Sequence, residues 1–181
     1  MKPIVKVPNE VLTTTANAVT RFDKKLAKLI VDLKETLITT KKPKGVGLAA
    51  PQIGVPMRVF VTRPHEKDAI RVFINPVILE KSESSTDGVP ERENKLEGCL
   101  SIPTIWGRVK RATQLTLQYQ DEAGKSHTEV CKGFLATIVQ HETDHLNGTL
   151  FTHRVLAQKG TLYQTEKDDE GKEVLTEIDL K

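Results

Sequence analysis

The sequence predicts an α+β fold in which antiparallel strands pack around a central helix. Apolar residues recur at helical spacing in residues 21–39, strand-like segments follow one another across short turns, and a second helix follows Gly133. Helices that alternate with hairpin-connected strands, without repeated βαβ units, are typical of this class. A chain of 181 residues can bury roughly 70% of its unfolded surface around one core. We therefore expect one domain over residues 1–181.

The first helix is amphipathic and lies near the amino terminus. Its apolar positions are Phe22, Leu26, Leu29, Ile30, Leu33 and Leu37. Because they recur every three or four residues and lysines fill the other side, one face should pack on the core. Lys41, Lys42 and Pro43 should end the helix.

Four segments have the composition of β-strands. They are residues 57–62, 69–79, 113–120 and 126–132. Polar turns join them in two pairs, which predicts two antiparallel hairpins.

Two further segments are polar. Residues 80–95 have the composition of an exposed, mobile loop. Residues 155–181 are charged, and they predict either a C-terminal hairpin that turns at Gly171 or a disordered tail.

The second helix carries a His-Glu-x-x-His motif. Phe134 and Ile138 share a stripe with His141 and His145, so the imidazoles should point into the protein. Two histidines one turn apart can reach the same metal ion, which makes this central helix metal-binding. Glu142 would lie beside the metal, where it can exchange a proton with bound water.

A catalytic metal of this kind needs a third protein ligand. Phe151 stands where one group of peptidases has a third histidine, and a phenylalanine cannot coordinate a cation. Glu166 is near the spacing of another peptidase arrangement. Cys99 offers a thiolate, a strong ligand for transition metals, although a buried structural thiol is the alternative. Cys99 is the better candidate on these grounds, and Glu166 stays open.

Charge and hydropathy restrict the class of protein. The 27 basic and 24 acidic residues give a net charge of +3, which does not argue for nucleic acid or a membrane surface. No apolar run approaches the ~18 residues of a membrane span, and the amino terminus lacks the apolar core of a signal peptide. We expect a soluble cytoplasmic protein in which Cys99 and Cys131 are thiols.

Residues 45–54 are rich in glycine and small residues. They permit close approach of another backbone, such as a peptide. A phosphate cradle is a weak alternative, since no Gly-Lys-Ser/Thr follows.

Three segments together resemble the peptide deformylase family. They are Gly45–Gln52, Glu97–Ser101 and Gln140–Leu146, in the family's order and with comparable spacing. The resemblance covers residues 3–152 and implies a hydrolase that removes the formyl group from the N-terminal formylmethionine of new polypeptides and releases formate. It also implies one divalent metal, usually Fe²⁺, with Zn²⁺, Ni²⁺ and Co²⁺ as alternatives.

The resemblance also implies roles for individual residues. The metal ligands are Cys99, His141 and His145. The catalytic groups are Glu142 as the proton carrier, with the Gln52 amide and the Leu100 backbone N–H as oxyanion donors. The substrate-binding residues are Gly45, Val46, Gly47, Leu48, Phe134 and Ile138, with Leu100 as a further wall of a methionine pocket. Glu97 and Arg111 resemble an ion pair that braces the Cys99 loop; two surface charges are the alternative.

N-formylmethionyl nascent peptides are the implied partners. The charged C-terminal segment lacks the basic helix that some members are thought to use for transient ribosome contact, which puts that contact in doubt. Two other functions stay open: a zinc peptidase that cleaves internal bonds, and a peptide-binding module without catalysis.

Overall fold

The computed structural model describes residues 2–41 and 44–179. Within these ranges the helices are α1 (Lys24–Thr39), α2 (Gly133–Leu146) and α3 (Phe151–Ala157). The strands are β1 (Gly47–Ala49), β2 (Val59–Thr62), β3 (Arg71–Lys81), β4 (Ser85–Asp87), β5 (Glu97–Cys99), β6 (Ile102–Gly107), β7 (Lys110–Ala112), β8 (Gln114–Gln120), β9 (Ser126–Lys132), β10 (Leu162–Lys167) and β11 (Glu173–Glu177). All pairings between these strands are antiparallel. The expected mixture of helices and antiparallel sheets is confirmed.

Helix α1 begins after an aspartate that caps it. The Asp23 carboxylate accepts hydrogen bonds from two backbone N–H groups of the first turn, at 2.9 and 3.1 Å. These donors have no partner within the helix, so the cap fixes the start at Lys24 rather than at residue 21. Phe22 stays outside the helix and is 39% exposed. Lys42 and Pro43, which were expected to end the helix, lie outside the described residues.

The largest sheet has the strand order β1-β2-β3-β8-β9. Strands β2, β3, β8 and β9 correspond to the four predicted segments, and β2–β3 and β8–β9 pair as the two predicted hairpins. The rings of Phe60 and Phe73 stack at 4.8 Å between these paired strands. Ala136, Val139 and Leu146 of α2 share a buried cluster with both rings. The sheet therefore supports α2 on one side and leaves β1 at its edge.

A second sheet holds β5 and has the order β11-β10-β6-β5. At one end of this sheet, β10 and the edge strand β11 form a hairpin with Gly171 at φ +79° in the turn. Trp106 of β6 donates a hydrogen bond from Nε1 to Oγ1 of Thr165 on β10, at 2.7 Å. Residues 155–181 thus contain a hairpin, one of the two expected alternatives, preceded by the end of α3, which the sequence pattern did not indicate.

The expectation of a loop throughout residues 80–95 is wrong in part. Strand β3 extends to Lys81, and β4 pairs with β7, whose residues lie some 25 positions further along the chain. Val89 is only 3% exposed. Local composition could not indicate this, because the partners that bury these residues are distant in sequence.

Among residues 2–41 and 44–179 the longest helix is α1, with 16 residues. No helix in the described part of the chain is both long and apolar enough to cross a membrane.

Candidate metal centre

Helix α2 and strand β5 bring three metal-ligating side chains together. His141 and His145 lie one turn apart on α2, and Cys99 is the last residue of β5. One ligand atom from each of the three lies within 4.8 Å of the others, and Cys99 Sγ is 3.2 Å from His145 Nε2. A thiolate with two imidazoles is a donor set that suits a divalent transition metal. The residues present therefore fit the expected ion.

The electrostatics of the cluster favour the thiolate form of Cys99. Burial disfavours a charged sulfur, but the imidazoles of His145 and His141 outweigh it and lower the pKa of the Cys99 thiol to about 5. The Ser101 backbone N–H and the Gln52 side-chain amide also donate to Sγ, at 3.4 and 3.5 Å. A low thiol pKa favours metal coordination, since the thiolate is the ligand.

A buried ion network orients the first histidine. His141 Nδ1 donates to Glu97 Oε1 at 2.6 Å, which leaves Nε2 as the ring nitrogen that could bind a metal ion. The Arg111 guanidinium forms two hydrogen bonds with Glu97, at 2.7 and 2.8 Å, and a third with Asp144 at 3.0 Å. Although burial opposes ionisation, Arg111 and His141 hold the pKa of the Glu97 carboxyl well below its usual range. The ion pair is buried, so the surface-charge alternative for Arg111 is wrong.

The Glu142 carboxylate lines a pocket together with Cys99 and His141. The side chain is 3% exposed, and Oε2 has no hydrogen-bond partner among the described residues. Burial raises the pKa of Glu142 to about 7. Gly47 of β1 lies directly over it, since a Cβ there would be 2.3 Å from Glu142 Oε1. Near neutral pH the Glu142 carboxyl can therefore both accept and release a proton.

Gln52 is held with its amide directed at the cluster. Its Oε1 accepts a hydrogen bond from Ala49 N at 2.8 Å, so Nε2 faces Cys99. The side chain is 1% exposed. The Leu100 carbonyl accepts a hydrogen bond from Lys6 Nζ at 2.9 Å, which fixes the peptide group between Leu100 and Ser101.

A pocket opens above these groups. Gly45, Val46, Gly47, Leu100, Phe134 and Ile138 line it, together with Cys99, His141 and Glu142. Leu48 was expected with these residues, but its side chain is fully buried in the cluster that includes α1. Its backbone pairs with Val61 in β2.

The other candidates for the third ligand lie elsewhere. Glu166 is exposed on β10, and its Oε2 accepts a hydrogen bond from Thr176 at 3.0 Å. Phe151 starts α3 and is packed in the core, with its ring centroid 6.4 Å from that of His141. In the described part of the chain, the group of His, Cys, Asp and Glu side chains able to hold a metal contains Cys99 and neither of these residues.

Five pocket residues were not anticipated from the sequence: Lys44, Val89, Arg92, Trp106 and Thr137. The Trp106 ring lies against Gly98, where a Cβ would be 2.6 Å from the ring. The Arg92 guanidinium lies over the Trp106 ring, with its Cζ 5.6 Å from the ring centroid. A Gly before the cysteine and a Trp eight residues later carry no local pattern that would indicate this contact.

Comparison with known proteins agrees with the geometry. The model of the polypeptide deformylase family matches residues 1–160. Peptide deformylase 1 of Bacillus cereus is 43% identical over 152 residues, which cover 84% of this chain and 90% of that protein.

Two solved structures have the same fold. The peptide deformylase of Thermotoga maritima has a TM-score of 0.74 and 35% identity, with 85% of this chain and 97% of that chain covered. The Met-Ala-Ser-bound class I type b peptide deformylase of Acinetobacter baumannii has a TM-score of 0.75 and 34% identity, with 85% and 98% covered. The chain therefore belongs to the peptide deformylase family, the metal-dependent hydrolases that remove the formyl group from the amino termini of new polypeptides.

Proposed function

We propose that the chain carries out this hydrolysis at one divalent metal ion held by Cys99, His141 and His145, with α2 as the central metal-binding helix. The observation that carries the proposal is the convergence of a thiol and two imidazoles beside a buried carboxylate. We assign Fe²⁺ as the metal; the same donors accept Zn²⁺, Ni²⁺ or Co²⁺.

Glu142 is the proton carrier in this proposal. When bound, the divalent ion supplies Lewis-acid chemistry, lowering the pKa of a water molecule and polarising the formyl carbonyl. Glu142 accepts the proton of the attacking water and delivers it to the leaving amine. Its raised pKa supports this exchange, because a group that titrates near neutral pH can both take up and release a proton.

Two donors stabilise the oxyanion that forms from the formyl oxygen. We assign these roles to Gln52 Nε2 and to the backbone N–H of Leu100. The bond from Ala49 N to Gln52 Oε1 fixes which end of the amide faces the site, so the donor needs no reorientation during the reaction.

The substrate binds edge-on to β1 in this proposal. Strand β1 pairs with β2 on one side and lies at the edge of its sheet, so the backbone of residues 45–48 can pair with an extended peptide. Main-chain pairing accepts nascent chains of any sequence. The solved Acinetobacter baumannii relative bound to Met-Ala-Ser supports a peptide in this class of site.

One apolar pocket binds the methionine side chain of the substrate. Val46, Leu100, Phe134 and Ile138 form its apolar wall. Leu48 contributes through its backbone, since its side chain is part of the core.

N-formylmethionyl nascent chains are the partners, and we place the enzyme in the cytoplasm, where such chains are made. We treat residues 1–181 as one catalytic domain. A transient ribosome contact belongs to the same proposal, but we do not assign it to the β10–β11 hairpin, because its carboxylates would be repelled by RNA phosphates.

The experiment is a formate-release assay with formyl-Met-Ala-Ser on protein purified without oxygen, paired with metal analysis. We expect formate release by the wild type and loss of most of it in Glu142→Ala. Wild-type formate at or below the level of the variant would end the catalytic proposal.

A further inference from the structure

A second groove continues from the methionine pocket. Lys44, Val46, Arg92 and Phe134 line both the pocket and the groove. Residues 64–67 form the far side of the groove. Because the two depressions have four lining residues in common, the groove directly adjoins the pocket.

The groove carries an excess of positive charge. Its charged side chains are Lys44, Glu66, Lys67 and Arg92, which leaves two positive charges beyond the single carboxylate. Lys44 is paired with Glu66 at 2.6 Å, so the excess resides on Lys67 and Arg92. Among the described residues no carboxylate contacts the Arg92 guanidinium, and both oxygens of nearby Glu97 are bonded by Arg111.

Arg92 is held in place rather than free at the surface. Nη1 donates to the Leu96 carbonyl at 3.0 Å, and the guanidinium lies over the Trp106 ring. Two backbone hydrogen bonds hold the loop that carries it: Val89 N donates to the Lys95 carbonyl at 2.9 Å, and Arg92 N donates to the Val89 carbonyl at 3.0 Å. A cation that is already ordered loses little further entropy when it binds an anion.

The alternation of side chains along a strand relates the groove to one substrate residue. In an extended peptide, residues 1 and 3 lie on the same face. If the methionine at position 1 fills the pocket, the side chain at position 3 points along the shared wall into the groove. This step rests on the function and the edge-on binding proposed above.

We propose that this groove is a subsite for the third residue of the substrate and that Arg92 makes it prefer an acidic side chain. The preference should be moderate, because the groove is open to water and an exposed ion pair gives at most about a fivefold effect.

The test compares formyl-Met-Ala-Glu, formyl-Met-Ala-Gln and formyl-Met-Ala-Lys, all as C-terminal amides so that only the side-chain charge differs. For the wild type we expect kcat/KM to fall in the order Glu, Gln, Lys, with about a fivefold step from Glu to Gln. The ratio should shrink between about 0.05 M and about 0.5 M salt, because salt screens exposed charges.

Arg92 variants test the assignment through the same ratio, which is measured within each enzyme. Arg92→Gln should reduce the Glu-to-Lys preference, Arg92→Lys should keep most of it, and Arg92→Glu should reverse it. Arg21→Gln is the matched control, since Arg21 is exposed and lines neither depression, and its ratio should equal that of the wild type.

An unchanged ratio in Arg92→Gln, or a wild-type ratio near one at low salt, would overturn the subsite. The salt series uses only the wild-type enzyme, so it tests the charge preference of the groove even if a variant does not fold. Failure of the enzyme to hydrolyse the neutral Gln peptide would instead refute the proposed function itself, which separates the two outcomes.

Discussion

Adding one methyl group at Gly47 should disable the reaction while leaving the fold intact. A Cβ at this position would lie 2.3 Å from Glu142 Oε1, whereas ordinary contact begins at 3.4 Å. The carboxylate is the far end of a flexible side chain, so it can move aside by about 1 Å. A displacement of this size in a reacting group can cost about 100-fold in rate. We therefore expect Gly47→Ala to lose about 100-fold in kcat for formyl-Met-Ala-Ser.

The matched control is Gly45→Ala, in the same segment. Its methyl group would meet the Cδ1 atoms of Leu100 and Leu37 at 2.9 Å, so it should disturb the pocket and KM more than kcat. Thermal unfolding of both variants tests whether either is misfolded. A folded Gly47→Ala enzyme with a kcat within about threefold of the wild type would refute the reasoning, because the position of the Glu142 carboxylate would then not matter to the chemistry.

Three further substitutions test other parts of the site. Cys99→Ala should bind far less than the one metal ion per chain expected of the wild type, while Glu166→Ala should bind it normally; elemental analysis of protein prepared without oxygen would show the opposite pattern if Glu166 were the ligand. Arg111→Met should lower the free energy of unfolding by about 3–5 kcal/mol in urea titrations, since the Glu97 carboxylate is left buried without its main partner; a loss below about 1 kcal/mol would contradict a buried role. Gln52→Leu should reduce kcat by about 100-fold or more through loss of an oxyanion donor, and a change in KM alone would argue that Gln52 only binds substrate.

The sequence reveals those helices and strands that are long enough for their periodicity to show. Residues 24–39 and 133–146 carry several helical turns, and β8 and β9 carry seven residues each. Strands β1, β4, β5 and β7 have three residues each, which is too short for an alternation to appear. Their conformation depends on partners elsewhere in the chain, such as the pairing of β4 with β7.

The candidate site divides in the same way. His141, Glu142 and His145 are visible as a local motif because one helix presents all three. Cys99 is not local to them, and the residues alone left its role open against Glu166. Arg92 and Trp106 have no pattern of their own, since their contact depends on how a polar segment folds back over β6.

Strands β1 and β11 are outer strands of their sheets, and backbone pairing alone does not distinguish one exposed edge from another. Strand β1 has the sequence Gly-Leu-Ala, without a charge, whereas β11 carries Glu173 and Glu177 at its two ends and is exposed along its whole length. Charged side chains discourage further strands from adding to an edge. In the proposed edge-on binding mode, peptides pair through their main chain whatever their sequence, and the glutamates make the edge of β11 a poorer partner for such a strand than the uncharged edge of β1.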